Sequence, residues 1–281
     1  MRFNLATLVK RQSRPRRKVI ALRPIVAPAT LASDLYAIYR PVITAWEASL
    51  PAIEAEYART LSALTTDAPA DLAVEISKPE TEAATVLLTV RARLARWAEI
   101  IEAWQRARWR ANVLAATKID LATLIGPADA RETLEAVIER NVGLIRSVSD
   151  ETRRRVADAV YRGLQNRTPA RDLARELRES VAMERRRALR IASDQTVTLS
   201  SQLNSERRRQ VGIDTWEWIS SGKLHPREHH RARNGNLYSE NPDRHGTDYE
   251  GKRVNAPPPS DDLPGIPINC GCTERSVLIL D

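Results

Sequence analysis

A chain of 281 residues with 42 % hydrophobic residues can bury one large core or two ordinary ones, which excludes wholesale disorder. Only 5 % of the residues are aromatic, which disfavours a large β-sandwich or barrel and favours a mostly helical fold. The net charge is +8, and no run of about eighteen apolar residues is present, so we expect no membrane span.

The positive charge is concentrated at the N-terminus. Residues 1–33 contain eight basic side chains and no acidic one, whereas basic and acidic residues cancel over the rest of the chain. We predict a basic disordered arm over residues 1–30 that binds double-stranded DNA without sequence preference by counterion release. A solvated arm with no fixed partner explains the composition equally well. The predicted phosphate-binding residues are Lys10, Arg11, Arg14, Arg16, Arg17 and Lys18.

Residues 31–125 are predicted to form a helical region. The prolines Pro41 and Pro51 are expected to interrupt its first helix, and residues 67–79 are expected to form a loop. A strong helix follows from Glu80 to about Ala116, with an apolar seam at a spacing of three and four residues. The seam could contact a partner, but packing within the protein's own bundle is favoured because the pattern lasts under three heptads. It consists of Leu87, Val90, Leu94, Trp97, Ile101 and Trp104.

Residues 126–281 are predicted to contain helices over 127–211 and a small β and loop unit over 213–281. Ser149 is a candidate helix cap, Thr168 precedes a proline typical of a first helical turn, and a longer helix from about Met183 ends near Gly212. Alternating apolar and polar residues over 214–219 predict a strand. The fold class is therefore α+β, with a mostly helical N-terminal and central region and a small irregular α+β C-terminal unit.

A series of short signatures runs from Asn141 to Cys272. Residues 141–147, 168–174 and 187–196 come first, and Pro264-Gly265 with the Asn-Cys-Gly-Cys run at 269–272 comes last. In order and spacing the series resembles the phage Mu F-like family of head morphogenesis proteins, which are minor head or minor capsid proteins. The residues that match the family's structural motif are Asp194, Gln195, Trp218, Ser221, Arg227, Asn234, Gly235 and Asn269.

Three positions depart from the family pattern. Lys223 stands where an acid is common, His225 where an arginine is common, and Gly271 replaces the usual arginine between the two cysteines. The charges that are common in the family at these positions are therefore absent from this chain. We recognise no family pattern in the first 140 residues.

The resemblance implies a minor head protein of a tailed phage or prophage, present in few copies and bound at or near the portal. Such a protein would act in procapsid and head morphogenesis, and in DNA packaging or ejection through non-specific contacts. Its expected partners are the portal protein, capsid and scaffold proteins and double-stranded DNA, with no membrane and no small-molecule substrate. Its expected location is the head interior or portal vertex of the virion, and the host cytoplasm during assembly.

The most reactive side chains of the C-terminal unit are His230, Cys270 and Cys272. Thiolate and imidazole are the preferred ligands of zinc, and His225 is the predicted fourth ligand of a structural zinc site, with His229 and His245 also near in sequence. Two buried thiols beside a histidine that binds the backbone are the alternative. A Cys-x-Cys motif is weaker evidence for a zinc site than paired Cys-x-x-Cys motifs are.

Catalytic patterns are missing from the sequence. The spacing of His229, His230 and Asn234 does not fit an HNH-type nuclease, no serine lies in a Gly-x-Ser-x-Gly turn, and no phosphate-binding Gly-x-x-x-x-Gly-Lys loop occurs. We therefore expect that the protein is not an enzyme. The alternatives are a metal-dependent nuclease or toxin-like effector that uses the His and Cys cluster, and a free DNA-binding protein. Asp194 and Gln195 are expected to hold loops of the C-terminal unit or to bind Arg227.

Overall fold

The protein has the predicted α+β fold, in which long helices precede a small C-terminal sheet. The structure is a computed structural model that describes residues 4–12, 18–63, 68–224 and 226–280, without the side chains of residues 68 and 69. The helices are α1 (Leu5–Gln12), α2 (Ala29–Ala63), α3 (Ala68–Thr117), α4 (Arg131–Gln165), α5 (Ala170–Gln210) and α6 (Glu228–Ala232). The strands are β1 (Val19–Ala21), β2 (Thr215–Ile219), β3 (Leu237–Ser239), β4 (Asp248–Tyr249), β5 (Lys252–Asn255) and β6 (Thr273–Ile279). Across the described ranges, none of the helices has the length and hydropathy that a membrane span requires.

The chain forms two compact units that are not consecutive in sequence. The first contains Met1–Leu31, Ala98–Glu135 and Asp194–Asp281, and the second contains Ala32–Trp97 and Ala136–Ser193. This differs from the predicted division at residues 30 and 125, because helices α3, α4 and α5 each contribute residues to both units.

The second unit is a helical bundle whose helices run through prolines. Helix α2 is continuous across Pro41 and Pro51, so the predicted interruptions there are wrong. Trp46 lies between the two prolines and is fully buried. Burial of a large apolar side chain contributes about 1.5–3 kcal/mol, and several such contacts outweigh the loss of a helix hydrogen bond at each proline. Tyr39 of α2 also donates a buried hydrogen bond of 2.9 Å to Oδ1 of Asn141 in α4.

Three further expectations about helices need correction. Helix α3 extends through Pro79, so the loop predicted over 67–79 is wrong where the chain is described, and Leu72 is buried there. Ser149 lies inside α4 and caps nothing, and the two helices predicted after Thr168 are the single helix α5. The apolar seam of α3 is covered by the chain itself, as the favoured interpretation holds, since Val90, Leu94, Trp97 and Ile101 are buried.

The first unit is built on a six-stranded sheet with the order β1-β6-β2-β3-β5-β4. All its pairs are antiparallel except β3 with β5. Side chains alternate between the two faces, so Leu278 and Leu280 of the final segment join a core with Trp109 and Val113 of α3. Val277 and Ile279 pack with Leu237 and Val254 in a separate cluster.

Helix α5 ends in a Schellman motif that aims the chain into β2. Gly212 has φ +70, its N–H donates to the carbonyl of Arg209, and the N–H of Ile213 donates to the carbonyl of Arg208. A glycine is favoured here because the left-handed conformation is strained for residues with a Cβ. The predicted helix end near Gly212 is therefore confirmed.

The described part of the N-terminal segment is folded, which corrects the predicted disordered arm. Leu5 and Val9 of α1 are buried, and the N–H of Leu5 donates to the carbonyl of Val211 at 2.9 Å. Strand β1 pairs with β6, and Leu22 and Ile25 are buried behind it. The composition of the segment did not predict that it is folded, because its apolar residues at helical spacing lie among the basic ones.

Candidate functional site

A buried cluster of one histidine and two cysteines lies beside strand β2. His230 is on the short helix α6, and Cys270 and Cys272 precede strand β6. Nδ1 of His230 is 3.5 Å from Sγ of Cys270 and 3.8 Å from Sγ of Cys272. All three side chains are at most 4 % exposed. The Trp218 ring of β2 meets the His230 ring edge-on, with centroids 5.0 Å apart.

The outer nitrogen of His230 is held by a carboxylate. Nε2 lies 2.9 Å from Oδ1 of Asp262, and Nη1 of Arg233 donates to Oδ2 of the same carboxylate at 2.6 Å. Arg233 also stacks over Trp218, with its guanidinium carbon 5.1 Å from the ring centroid. Although burial alone would raise it, the pKa of Asp262 is lowered to about 2 because His230 and Arg233 bind the charged form. Asp262 therefore stays ionised and fixes the imidazole.

The two thiols share a hydrogen bond. A hydrogen bond from Cys272 to the sulfur of Cys270 lowers the pKa of Cys270, although burial opposes the shift. The same hydrogen bond and burial raise the pKa of Cys272.

Helix α5 anchors the loop that carries the cysteines. Oδ1 of Asp194 accepts a hydrogen bond of 2.6 Å from the backbone N–H of Asn269. One turn further along, the hydroxyl of Thr198 donates to the carbonyl of Gly265 at 3.0 Å. Asn269 has φ +60, a conformation that asparagine tolerates better than most residues. These bonds fix the loop on both sides of residue 267.

Two cationic side chains also donate hydrogen bonds to the backbone of the same loop. Nη2 of Arg227 donates to the carbonyl of Ile268 at 3.0 Å, and Nζ of Lys223 donates to the carbonyl of Asn269 at 2.7 Å. A Cβ at Gly271 would lie 2.8 Å from Cε of Lys223 and 3.0 Å from Cβ of Ser221. The absence of a side chain at Gly271 therefore makes room for Lys223.

A tight turn over residues 233–236 connects α6 to β3 and is hydrogen-bonded to the end of β2. Oδ1 of Asn234 accepts from the N–H of Ser220 at 2.8 Å, and the N–H of Gly235 donates to the carbonyl of Trp218 at 2.8 Å. Gly235 has φ +82, which favours glycine. This turn sets the position of helix α6, and with it that of His230.

Comparison with known proteins gives one family. Residues 154–275 match the family model described as Phage Mu protein F like protein. We call residues 154–275 the Mu F-like domain, because this part of the chain is similar to that family. The family consists of structural phage head proteins.

One relative is an uncharacterized protein of Haemophilus influenzae. It is 29 % identical over 179 residues, which cover 63 % of this chain and 37 % of that protein. The chain thus spans little more than a third of the length of this relative. No solved structure matches the chain.

The Mu F-like domain brings most of the predicted site residues together. His230, Cys270 and Cys272 meet, and Asp194 binds the cysteine loop rather than Arg227. Gln195 is buried and donates to Asp194 at 3.4 Å. The predicted fourth ligand His225 lies outside the described residues.

The predicted DNA-binding residues are described only in part. Lys10, Arg11 and Lys18 are exposed. Arg14, Arg16 and Arg17 lie outside the described residues. DNA contact by these six side chains stays a prediction.

Two residues of the Mu F-like domain were missed in the sequence, namely Asp262 and Arg233. Their signals were weak, since Arg233 follows His230 by one helical turn and Asp262 is one of two adjacent acids after a proline run. Neither spacing distinguishes a histidine partner from a solvated surface charge.

Proposed function

We propose that this protein is a minor head protein of a tailed phage or prophage, and that its Mu F-like domain is a non-catalytic docking module at the portal. The observation that carries the proposal is the family match over residues 154–275. The geometry of the domain supports a structural role, because its polar motif residues bind backbone groups of the same domain.

The bonds of three motif residues illustrate this point. Asp194 accepts from the Asn269 backbone, Arg227 donates to the Ile268 carbonyl, and Asn234 accepts from the Ser220 backbone. A general acid, base or nucleophile must instead reach a substrate atom. His230, the strongest candidate for such a role, is 2 % exposed and held by Asp262.

A docking surface for the portal protein is available on the loop side of the domain. Leu224 and Ile268 are 88 % and 67 % exposed, and the Lys223 and Arg227 bonds hold their two segments together. Exposed apolar side chains on a fixed loop, bordered by cations, are typical of a protein contact. The bordering cations favour an acidic patch on the partner.

The test replaces the two exposed apolar side chains. We expect L224D/I268D to fold normally by circular dichroism but to be missing from purified heads when it replaces the wild-type gene, as measured by quantitative mass spectrometry. The matched control is L88D, since Leu88 on α3 is 83 % exposed and lies outside the Mu F-like domain. Heads that incorporate L224D/I268D as well as L88D would contradict docking through this surface.

The same preparations distinguish the proposal from a nuclease. We expect the purified wild type to leave double-stranded and single-stranded DNA intact with Mg²⁺, Mn²⁺ or Zn²⁺. A metal-dependent cleavage that H230A abolishes would overturn the non-catalytic role. The control for H230A is H229A, because His229 is on the same helix and exposed.

Binding of DNA by the N-terminal segment is the second component of the proposal. Lys10, Arg11 and Lys18 are exposed cations on or beside folded elements, so they can neutralise phosphates without ordering a long chain. Such binding would serve packaging or ejection. It requires no contact from the Mu F-like motif residues.

A further inference from the structure

We propose that Cys270, Cys272 and His230 bind a structural zinc ion that joins helix α6 to the loop before strand β6. The inference rests on the three donor atoms and their surroundings. It is independent of the proposed head function, because a zinc site would staple the domain whatever the domain binds.

The donor distances fit one tetrahedral ion. With Zn–S of about 2.3 Å and Zn–N of about 2.0–2.1 Å, a tetrahedral angle separates nitrogen and sulfur by about 3.6 Å. The two observed separations from Nδ1 of His230 are 3.5 Å to Cys270 and 3.8 Å to Cys272. The ligand atoms of all three residues lie within 4.8 Å of one another. The two nitrogen–sulfur separations therefore already fit a single zinc ion.

The histidine is oriented as a ligand. Because Nε2 lies against Asp262, the ring proton is placed on Nε2 and the lone pair of Nδ1 faces the two sulfurs. A carboxylate that binds the outer nitrogen is the usual support of a zinc-bound histidine. Arg233 in turn fixes Asp262 with a 2.6 Å bond. The support would therefore be complete before the ion arrives.

The donor types select zinc, and burial assigns it a structural role. Two thiolates and one imidazole suit zinc, whereas calcium and magnesium require oxygen ligands. The three residues are 2–4 % exposed, so the site has little room for substrate. The fourth position is then filled by water or by one more side chain.

The region around the site would be stabilised by a bound metal ion. Between β2 and β6 the regular elements have only two to five residues each, and the adjoining apolar cluster is Trp216, Trp218, Tyr238, Cys270 and Cys272. Small units with few apolar contacts gain much of their stability from a metal. An ion at this point would tie α6 directly to the cysteine loop.

The test measures metal content and ligand identity on the full chain. Protein purified without chelator is expected to contain one zinc per chain by elemental mass spectrometry. Replacement by Co²⁺ should give thiolate-to-cobalt charge-transfer absorption and the visible bands of a tetrahedral site. C270S, C272S and H230A should lose the stoichiometric zinc, whereas H229A, on the same helix, should keep it. D262N should retain the ligands but bind zinc about 10–100-fold more weakly.

A second measurement covers variants that fail to fold. The wild type is stripped with a chelator and titrated with Zn²⁺, and its melting temperature should rise to a plateau at one equivalent. Wild-type protein without stoichiometric zinc, without cobalt–thiolate absorption and without a thermal response to Zn²⁺ would overturn the proposal and leave two buried thiols. Zinc retained by the C270S and C272S variants would overturn the ligand assignment.

Discussion

A buried ion pair joins Arg208 of helix α5 to Glu274 of strand β6. Nε of Arg208 donates to Oε1 of Glu274 at 3.2 Å, and Nη2 donates to the half-exposed Glu240 at 3.0 Å. Arg208 is 1 % exposed and Glu274 5 %. The guanidinium also lies 5.7 Å from the ring centroid of Trp216. We predict that R208M is strongly destabilised, because it leaves a buried carboxylate without its cation.

The magnitude follows from the fate of Glu274. Burial, only partly offset by Arg208, raises the pKa of Glu274 in the folded wild type. In R208M the contribution of Arg208 is lost, so the pKa of folded Glu274 rises further. With an unfolded pKa of about 4.3, keeping the carboxyl protonated costs about 4 kcal/mol at pH 7 and about 1 kcal/mol at pH 5. Because the pKa of Glu274 is already raised in the wild type, these figures are upper limits for the loss that R208M causes. Removal of one partner of a buried pair typically costs about 3–5 kcal/mol, which agrees.

The assay is urea denaturation of wild type and R208M at pH 5 and pH 7. A carboxyl whose folded pKa lies above its unfolded pKa binds more protons in the folded state, so stability falls as pH rises through that window. In R208M the folded pKa of Glu274 is higher, so the pH range over which stability falls extends further upward. The free energy of unfolding that R208M loses relative to wild type should therefore be larger at pH 7 than at pH 5. The double variant R208M/E274Q should lose this extra pH dependence.

The control for R208M is R154M. Arg154 forms ion pairs with Glu151 and Asp158 but is 59 % exposed, so its loss should leave the free energy of unfolding nearly unchanged. An equal cost of R208M at both pH values, or a cost no larger than that of R154M, would refute the assignment of the loss to a buried, uncompensated Glu274.

Three further predictions concern packing, a hydrogen bond and DNA. G265A should lower stability in thermal melts by about 2 kcal/mol or more, because φ is +77 and the new methyl would overlap the Ser201 hydroxyl of α5. G251A, with φ +78 and open space around the new methyl, should cost about 1 kcal/mol in the same melts. Y39F should cost about 1–3 kcal/mol in urea denaturation, because it leaves the buried Asn141 oxygen without its donor; an unchanged midpoint would contradict this. Replacement of three arginines by serine should reduce the log–log salt slope of DNA binding by about 2.7, whereas an unchanged slope would exclude them as phosphate contacts; these are Arg14, Arg16 and Arg17.

Local rules predicted those features of the fold that local chemistry decides. The end of α5 near Gly212 follows from one glycine, and strand β2 follows from the alternation over residues 214–219. The same rules were wrong at Pro41, Pro51 and Pro79, because a proline's effect on a helix depends on what the helix packs against. The sequence shows the proline but not the burial of Trp46 between the first two.

The candidate site likewise contains residues that the sequence predicted and residues that it did not. The grouping of His230 with Cys270 and Cys272 was predictable, since few residue types bind soft metals and the chain has only two cysteines. The role of Asp262 was not predictable, because the sequence does not distinguish it from the other acidic residues, of which the chain has 36 in total. The role follows only from the fold, which places its carboxylate 2.9 Å from Nε2 of His230. Asp194 is intermediate: an aspartate in a helix interior indicates a tertiary contact without naming the partner.

The folded N-terminal segment changes how its DNA binding has to be tested. Deletion of residues 2–23 would remove Leu5 and Val9 from the core that includes Leu278, and would take strand β1 away from β6. Loss of DNA binding after such a deletion would then reflect unfolding as much as the loss of charge. Substitution of basic residues alone, which leaves the apolar residues in place, isolates the electrostatic contribution. Only that design can show whether the charge of this segment serves DNA or solubility.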